Sequence, residues 1–342
     1  MHAPTLLATC ACLAGWLSAC ATAGSPSPPA RGKLRPVKWP NVADGFASVN
    51  DMGQKGTTGG AGGKVVTVSS QADLEAYAGK REPYVIRVKG AITLKPKGKE
   101  VRVASDKTII GVGKTGHIVE GGFFLGPGVH NVIIRNLTIR DSFVEGDWDG
   151  KTQDNDGVQM DTAHHVWIDH CHFSRLGDGM IDSRKDTTYL TVSWCIFSDH
   201  NKTFGIGWTP NVTAQMTIHH NWFRNVGQRN PAVDNVLRAH LYNNYLQGVK
   251  SYGHHSRGRT NMIVQNTVFE NVRRPHAVDK GTLVATGNIY RNTTDQGWPW
   301  GAKARGPAFF DPGKFYKYKL LDAKHVPAIL AAYAGPQENI GR

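Results

Sequence analysis

Four aspartates carry the first chemical signal in this chain. Asp154 and Asp156 stand in DNDG, Asp178 and Asp182 stand in DGMID, and the outermost pair is 28 positions apart. Each alone reads as a turn residue or a solvated charge. Together they admit three readings: a charged surface, half of a carboxylate pair for hydrolysis, or an oxygen cage for a hard cation such as calcium. Basic residues follow them: Arg184 and Lys185 directly after DGMID, Lys202 in SDHNKTFGIG, Arg229 in GQRNPAVDN and Arg257 in GHHSRGR. Like charges in a row oppose folding, so such a row makes sense where it grips an anionic chain.

The bulk composition agrees with an anionic partner. The chain has 342 residues, 40% hydrophobic content and a formal charge of +13, and no lysine or arginine precedes Arg31. That hydrophobic content supports a large folded core and excludes general disorder. The charge calls for a polyanion. No helix-turn-helix, zinc-finger or RNA-recognition pattern supports nucleic acid, which leaves an acidic polysaccharide.

The elements that must position these residues show themselves as repeats. VIIRNLTI, VWIDHCHF, LTVSWCIF, MTIHHNWF, AHLYNNYL, MIVQNTVF and LVATGNIY lie over one another. Their third positions are Ile134, Ile168, Val192, Ile218, Leu241, Val264 and Ala285, in steps of 34, 24, 26, 23, 23 and 21 residues. A period in the low twenties, rich in β-branched and aromatic residues, predicts a solenoid. The fold class expected is all-β: a right-handed parallel β-helix in which equivalent positions stack roughly 4.8 Å apart. Two ladders follow from that register. Phe173, Phe197, Phe223, Leu246 and Phe269 form one, and Cys171, Cys195, Asn221 and Asn244 form the other. Stacked cysteines stand within disulfide reach by backbone distance, or they sit as two free buried thiols. Weaker coils show in YVIRVKGAITL and TIIGVG, SQADLEAYAG reads as a short capping helix, and AKHVPAILAAYAG as a helix in a tail packed back on the solenoid. The long step of 34 places its excess in DSFVEGDWDGKTQDNDG, a loop that delivers Asp154 and Asp156.

Stacked coils bring the four aspartates to one face. Within DGMIDSRK, Asp182 and Arg184 share a face by strand alternation, and Lys185 is expected to point the other way.

With these marks the sequence resembles the pectate lyases of polysaccharide lyase family 1. The resemblance rests on VWIDH, DGMID, LTVSW, QRNP followed by AHLYNN, and the glycine-rich GFASVNDMGQKGTTGGAGGKVVTVSSQADLEAYAG. It covers roughly Trp39 to Gly306. It implies Asp154, Asp156, Asp178 and Asp182 as calcium ligands, Arg229 as the base and Lys202 as its electrostatic partner in catalysis. It implies Arg184 and Arg257 as substrate-binding residues. The family's RxPxxR motif reads RNPAVD here, so Asp234 stands in the second arginine's place, and Arg238, nearby and out of register, is carried as a further substrate-binding candidate. The implied reaction is β-elimination on α-1,4-linked polygalacturonate, giving 4,5-unsaturated oligogalacturonides. A guanidinium is ordinarily protonated, so an arginine base implies an alkaline optimum. Asp169 and His170 of VWIDH are read as structural.

A pectin lyase, which acts on methyl-esterified chains without a calcium cage, and a non-catalytic pectin-binding β-helix are the alternatives. Residues 1–20 read as a secretory signal in which LSAC resembles a lipobox ending at Cys20, with ATAG as a competing cleavage site. Residues 21–37 read as a Ser/Pro/Gly linker, and 38–342 as the β-helix domain. The expected product is a secreted monomer, lipid-anchored if Cys20 is acylated.

Overall fold

The fifth position of each repeat decides how the chain turns. Asn136, His170, Trp194, His220, Asn243, Asn266 and Gly287 occupy it, and every one adopts a left-handed backbone, with φ between 47° and 66°. Asn and Gly take this conformation readily. His170, Trp194 and His220 do so within a ring stack, with centroid distances of 5.8 and 4.3 Å, which offsets the cost. Each left-handed residue ends one strand and swings the chain through a corner into the next.

In the computed structural model, residues 38–294 and 309–342 are described. The expected signal segment, Cys20 and the linker lie outside the described residues. Among the described residues, ten parallel strands from Lys64–Val68 to Thr282–Thr286 form one sheet. Two further parallel tracks merge through the twelve-residue strand Ile196–Gly207. One track carries Gly179–Arg184 and Ala232–Asp234; the other carries His172–Ser174 and Trp222–Gln228. This is the parallel β-helix the repeats predict.

Register follows the repeat alignment. Ile134 pairs with Ile168, Ile168 with Val192, Val192 with Ile218, Ile218 with Leu241, Leu241 with Val264 and Val264 with Ala285. The aromatic ladder is present: Phe173 stacks on Phe197 at 5.3 Å and Phe197 on Phe223 at 4.8 Å. The sixth-position ladder is a chain of hydrogen bonds. The Cys195 amide donates to Asn221 Oδ1 at 2.9 Å, and the Asn221 amide donates to Asn244 Oδ1 at 3.0 Å. Thr267 and Asn288 extend it. Each side chain satisfies an inward amide at a corner that no sheet reaches. Cys171 and Cys195 head this ladder as buried free thiols.

One end and one flank of the solenoid are covered. Helix Gln71–Ala78, capped by Ser70, buries Leu74 and Ala78 in the main core. Helix Val326–Tyr333 lays Val326 and Leu330 against Tyr245 and Val268. On the ten-stranded sheet, Asp169 accepts from His170 Nδ1 at 2.6 Å and Ser193 Oγ at 2.8 Å, and pairs with Arg135 Nε at 2.7 Å. Burial alone would raise this carboxyl, but His170, Arg135 and Ser193 hold it below its ordinary value. VWIDH thus serves the scaffold, as its sequence reading holds.

Candidate active site

The loop 141–157 is folded back over the next two coils. Asp147 accepts from the amides of Lys151 and Thr152 at 2.8 and 2.9 Å, and Asn201 Nδ2 donates to Trp148 O at 3.2 Å and Asp149 Oδ1 at 2.9 Å. Gly150 closes over Asp178 with φ +55°, where a β-carbon would come within 2.4 Å of Asp178 Oδ1. Only glycine tolerates both the conformation and the approach.

This loop delivers Asp154 and Asp156 to the face that carries Asp178. Ligand oxygens of Asp154, Asp156 and Asp178 all lie within 4.8 Å of one another. Asp182 stands outside that group of three but close to it: a β-carbon on Gly179 would stand 2.7 Å from Asp182 Oδ1 and 2.8 Å from Asp156 Oδ1. Asp156 is held by the Gly179 amide at 2.6 Å. Asp182 Oδ1 is buried without any hydrogen-bond partner.

Electrostatics show the cost of the cage. Burial, with Asp182, Glu100 and Asp178 adding to it, pushes the Asp156 carboxyl well above its ordinary range. Burial, reinforced by Asp178 and Asp154, pushes Asp182 up to about 7 against the pull of Arg229 and Arg184. Hard oxygen donors and mutual repulsion at Asp154, Asp156 and Asp178, with an orphaned carboxylate oxygen of Asp182 alongside, suit a hard cation such as calcium.

The cations divide into two groups. Lys202 pairs with Asp178, both nearly buried. Arg184 reaches the site, but its Nε donates to Asp161 Oδ1 at 2.8 Å and its NH1 pairs with Asp154 Oδ2 at 3.2 Å. Arg229 and Arg257 line a separate pocket beyond the cage with Trp208, Asp234 and Tyr252. Arg229 turns the chain out of Trp222–Gln228 with φ 59°, and its guanidinium lies 5.5 Å from the Trp208 ring centre.

Two expectations are corrected. Lys185 does not point away from Arg184: Nζ bonds Asp161 Oδ2 at 2.7 Å, because Lys185 has φ 58° and strand alternation ends one residue before it. Arg238 is not brought to the cleft. The left-handed Asn235 turns the chain after Ala232–Asp234, so Arg238 opens a strand of the ten-stranded sheet, bonds Gln215 Oε1 at 2.8 Å and covers Phe315.

Sequence reasoning missed Asp161, Glu100, Trp208 and Tyr252. Asp161 pairs in register with Arg184, a partner the coil alignment could have found. Glu100 accepts from the Asp156 amide at 3.2 Å from two coils upstream, and burial pushes its carboxyl up to about 7. No motif marks Trp208 or Tyr252.

The comparisons agree on the family. A family model described as pectate lyase matches residues 37–339. A pectate trisaccharide-lyase of Bacillus licheniformis is 31% identical over 340 residues, covering 94% of each chain. A pectate trisaccharide-lyase of Thermotoga maritima is 41% identical over 216 residues, which span 60% of this chain and 58% of that relative, less than two thirds of its length. Among solved structures, the pectate lyase from Bacillus sp. N165 in complex with trigalacturonate aligns with a TM-score of 0.68 and 27% identity, covering 86% of this chain and 98% of that one. The pectate lyase of Acidovorax avenae subsp. citrulli, at 21% identity, TM-score 0.71 and coverage of 86% and 94%, shows the likeness of fold alone. Matched by the family model across its β-helix and by a relative along nearly its whole length, the chain belongs to the pectate lyase family.

Proposed function

We propose that this protein is a calcium-dependent pectate lyase that cleaves polygalacturonate by β-elimination. The observation that carries the reading is the cluster of Asp154, Asp156 and Asp178, with the orphaned Asp182 oxygen between it and Arg229. The names of the relatives and the trigalacturonate complex support the substrate class.

Asp154, Asp156, Asp178 and Asp182 would hold the metal. When bound there, calcium would act as a Lewis acid toward a uronate carboxylate and acidify the neighbouring C5 proton. Arg229 takes that proton, the C4–O bond breaks, and the leaving oxygen gains a proton from water. A C4=C5 double bond forms with no net oxidation. Lys202 stabilises the enolate-like charge from the side of Asp178. Arg184 is held by Asp161 and Asp154, so it orients the cage mouth as well as meeting substrate. The base requires alkaline conditions, because an arginine gives up its proton reluctantly.

Hydrolysis is the poorer reading, since it needs an acid and a base carboxylate across the bond, and the clustered carboxylates here suit a cation. Mass spectra of products from polygalacturonate separate the two. Elimination gives oligomers one water lighter at the new non-reducing end, and hydrolysis gives saturated oligomers. The same spectra report product length, which tests whether unsaturated trisaccharide accumulates as the relatives' name suggests. Saturated products alone would refute the proposal. We further propose export through the N-terminal segment, lipidation at Cys20 and monomeric behaviour; acyl labelling of wild type and Cys20→Ser, followed by sizing of the soluble domain, checks them.

A further inference from the structure

One outward row of side chains runs along the cage face. Register links Arg102 to Phe124, Phe124 to Gln159, Gln159 to Asp182, Asp182 to Gly205 and Gly205 to Ala232. Neighbouring rungs stand one strand spacing, about 4.8 Å, apart. Downstream of Asp182 the row shrinks to Gly205 and Ala232, which share a pocket with Arg229 and Arg257. Upstream it crosses Gln159, whose amide bridges Asp156 Oδ2 at 3.0 Å and Arg184. It then reaches Phe124 and Arg102, on coils that give the cage no aspartate.

Arg102 differs from the cations beside the cage. Arg184 is held between Asp161 and Asp154, and Lys202 lies against Asp178. Burial of Val101 and Val103 in the core turns Arg102 outward, where it is exposed and no described carboxylate pairs with it. Its guanidinium carbon lies 5.2 Å from the centre of the Phe124 ring, which holds the cation in place. Of the charges nearby, Lys97 is exposed, Lys99 pairs with Glu75 at 2.9 Å, and Glu100 is turned toward the Asp156 amide at 3.2 Å. The balance around Arg102 is positive. An outward phenylalanine under an unpaired guanidinium serves neither the core nor an ion pair. The two suit an acidic sugar, whose C–H face can rest on the ring and whose carboxylate can take the guanidinium fork.

Resting on the proposed lyase function, we infer that Arg102 and Phe124 form a distal subsite for a galacturonate carboxylate, three strand spacings or about 14 Å upstream of Asp182. The subsite takes no part in the chemistry. It lengthens the stretch of chain that is gripped, and so sets how strongly long chains are favoured over short ones.

The test measures kcat/KM on oligogalacturonates of increasing length, from the shortest one cleaved upward, for wild type, Arg102→Ala and Arg102→Lys. In wild type kcat/KM should climb until the chain spans both the cage and Arg102. Arg102→Ala is expected to lower the long-to-short ratio about threefold to tenfold. Arg102→Lys should keep part of that ratio, because it holds the charge without the fork. A ratio in Arg102→Ala equal to wild type, or the same loss at every length, overturns the inference. Affinity electrophoresis in polygalacturonate gels reads binding apart from cleavage. A protein that cleaves no galacturonan, yet is retarded in the gel and less so as Arg102→Ala, contradicts the proposed function and leaves the subsite standing. One that cleaves with a length dependence that Arg102→Ala does not alter does the reverse.

Discussion

Replacing Asp182 with asparagine should stabilise the metal-free protein, and only at high pH. Asp182 is 2% exposed and its Oδ1 has no partner, so the ionised form is held against burial and against Asp178 and Asp154. Its carboxyl is pushed up to about 7 in the folded chain, against about 3.9 when unfolded. Three units at 1.36 kcal/mol each give about 4 kcal/mol. Asp156 shares the repulsion, so removing one charge should relieve about 2–4 kcal/mol. The sign follows from linkage: a raised carboxyl binds its proton more tightly in the folded state. The penalty is absent below about pH 4, grows as pH rises toward about 7, and is complete above it. Spread over a folded unit spanning Lys38–Arg342, the relief raises Tm by about 3–6 °C. The assay is thermal unfolding by circular dichroism with excess chelator, at about pH 4.5 and about pH 8.5. Calcium at a hundred times its Kd should add about 2.7 kcal/mol to wild type and little to Asp182→Asn. If the variant loses stability in chelator at the higher pH, the reasoning is refuted, and Asp182 serves as an ordinary structural residue.

Three further outcomes follow from named contacts. Gly179→Ala places a β-carbon under 3 Å from both Asp156 and Asp182 oxygens, so calorimetry should show calcium affinity falling about tenfold or more; unchanged affinity would mean the cage is not where calcium binds. Asn221→Leu strips the Cys195 amide of its acceptor; it should cost about 2–3 kcal/mol of stability, read by urea unfolding, with turnover unchanged below the melting range. Trp208→Ala removes the ring beside the Arg229 guanidinium; kcat/KM should fall about threefold to thirtyfold, with Trp208→Phe retaining most of it.

Much of this was legible because a β-helix turns sequence period into spatial register. The repeat from Ile134 through Ala285 carries its own register, and that register sets the aromatic ladder, the asparagine ladder and the convergence of Asp156 with Asp178 and Asp182. What escaped lies at corners. Lys185 and Asn235 are left-handed, and one such residue redirects the chain, so alternation mispoints Lys185 and nearness in sequence misplaces Arg238. Glu100 was hidden by coil length, since it enters from two coils upstream without a motif of its own. The two thiols were undecided from spacing because stacking in register serves a disulfide and a pair of free cysteines alike.

The central claim is elimination by Arg229 beside a filled aspartate cage. The direct measurement is the initial rate of ultraviolet absorbance from unsaturated product on polygalacturonate at alkaline pH, for wild type and Arg229→Ala, with calcium and with excess chelator. Wild type should show a rate with calcium and lose it in chelator, and Arg229→Ala should fall about a hundredfold to ten-thousandfold. An undiminished rate in Arg229→Ala, or reducing ends that appear without absorbance, would contradict it.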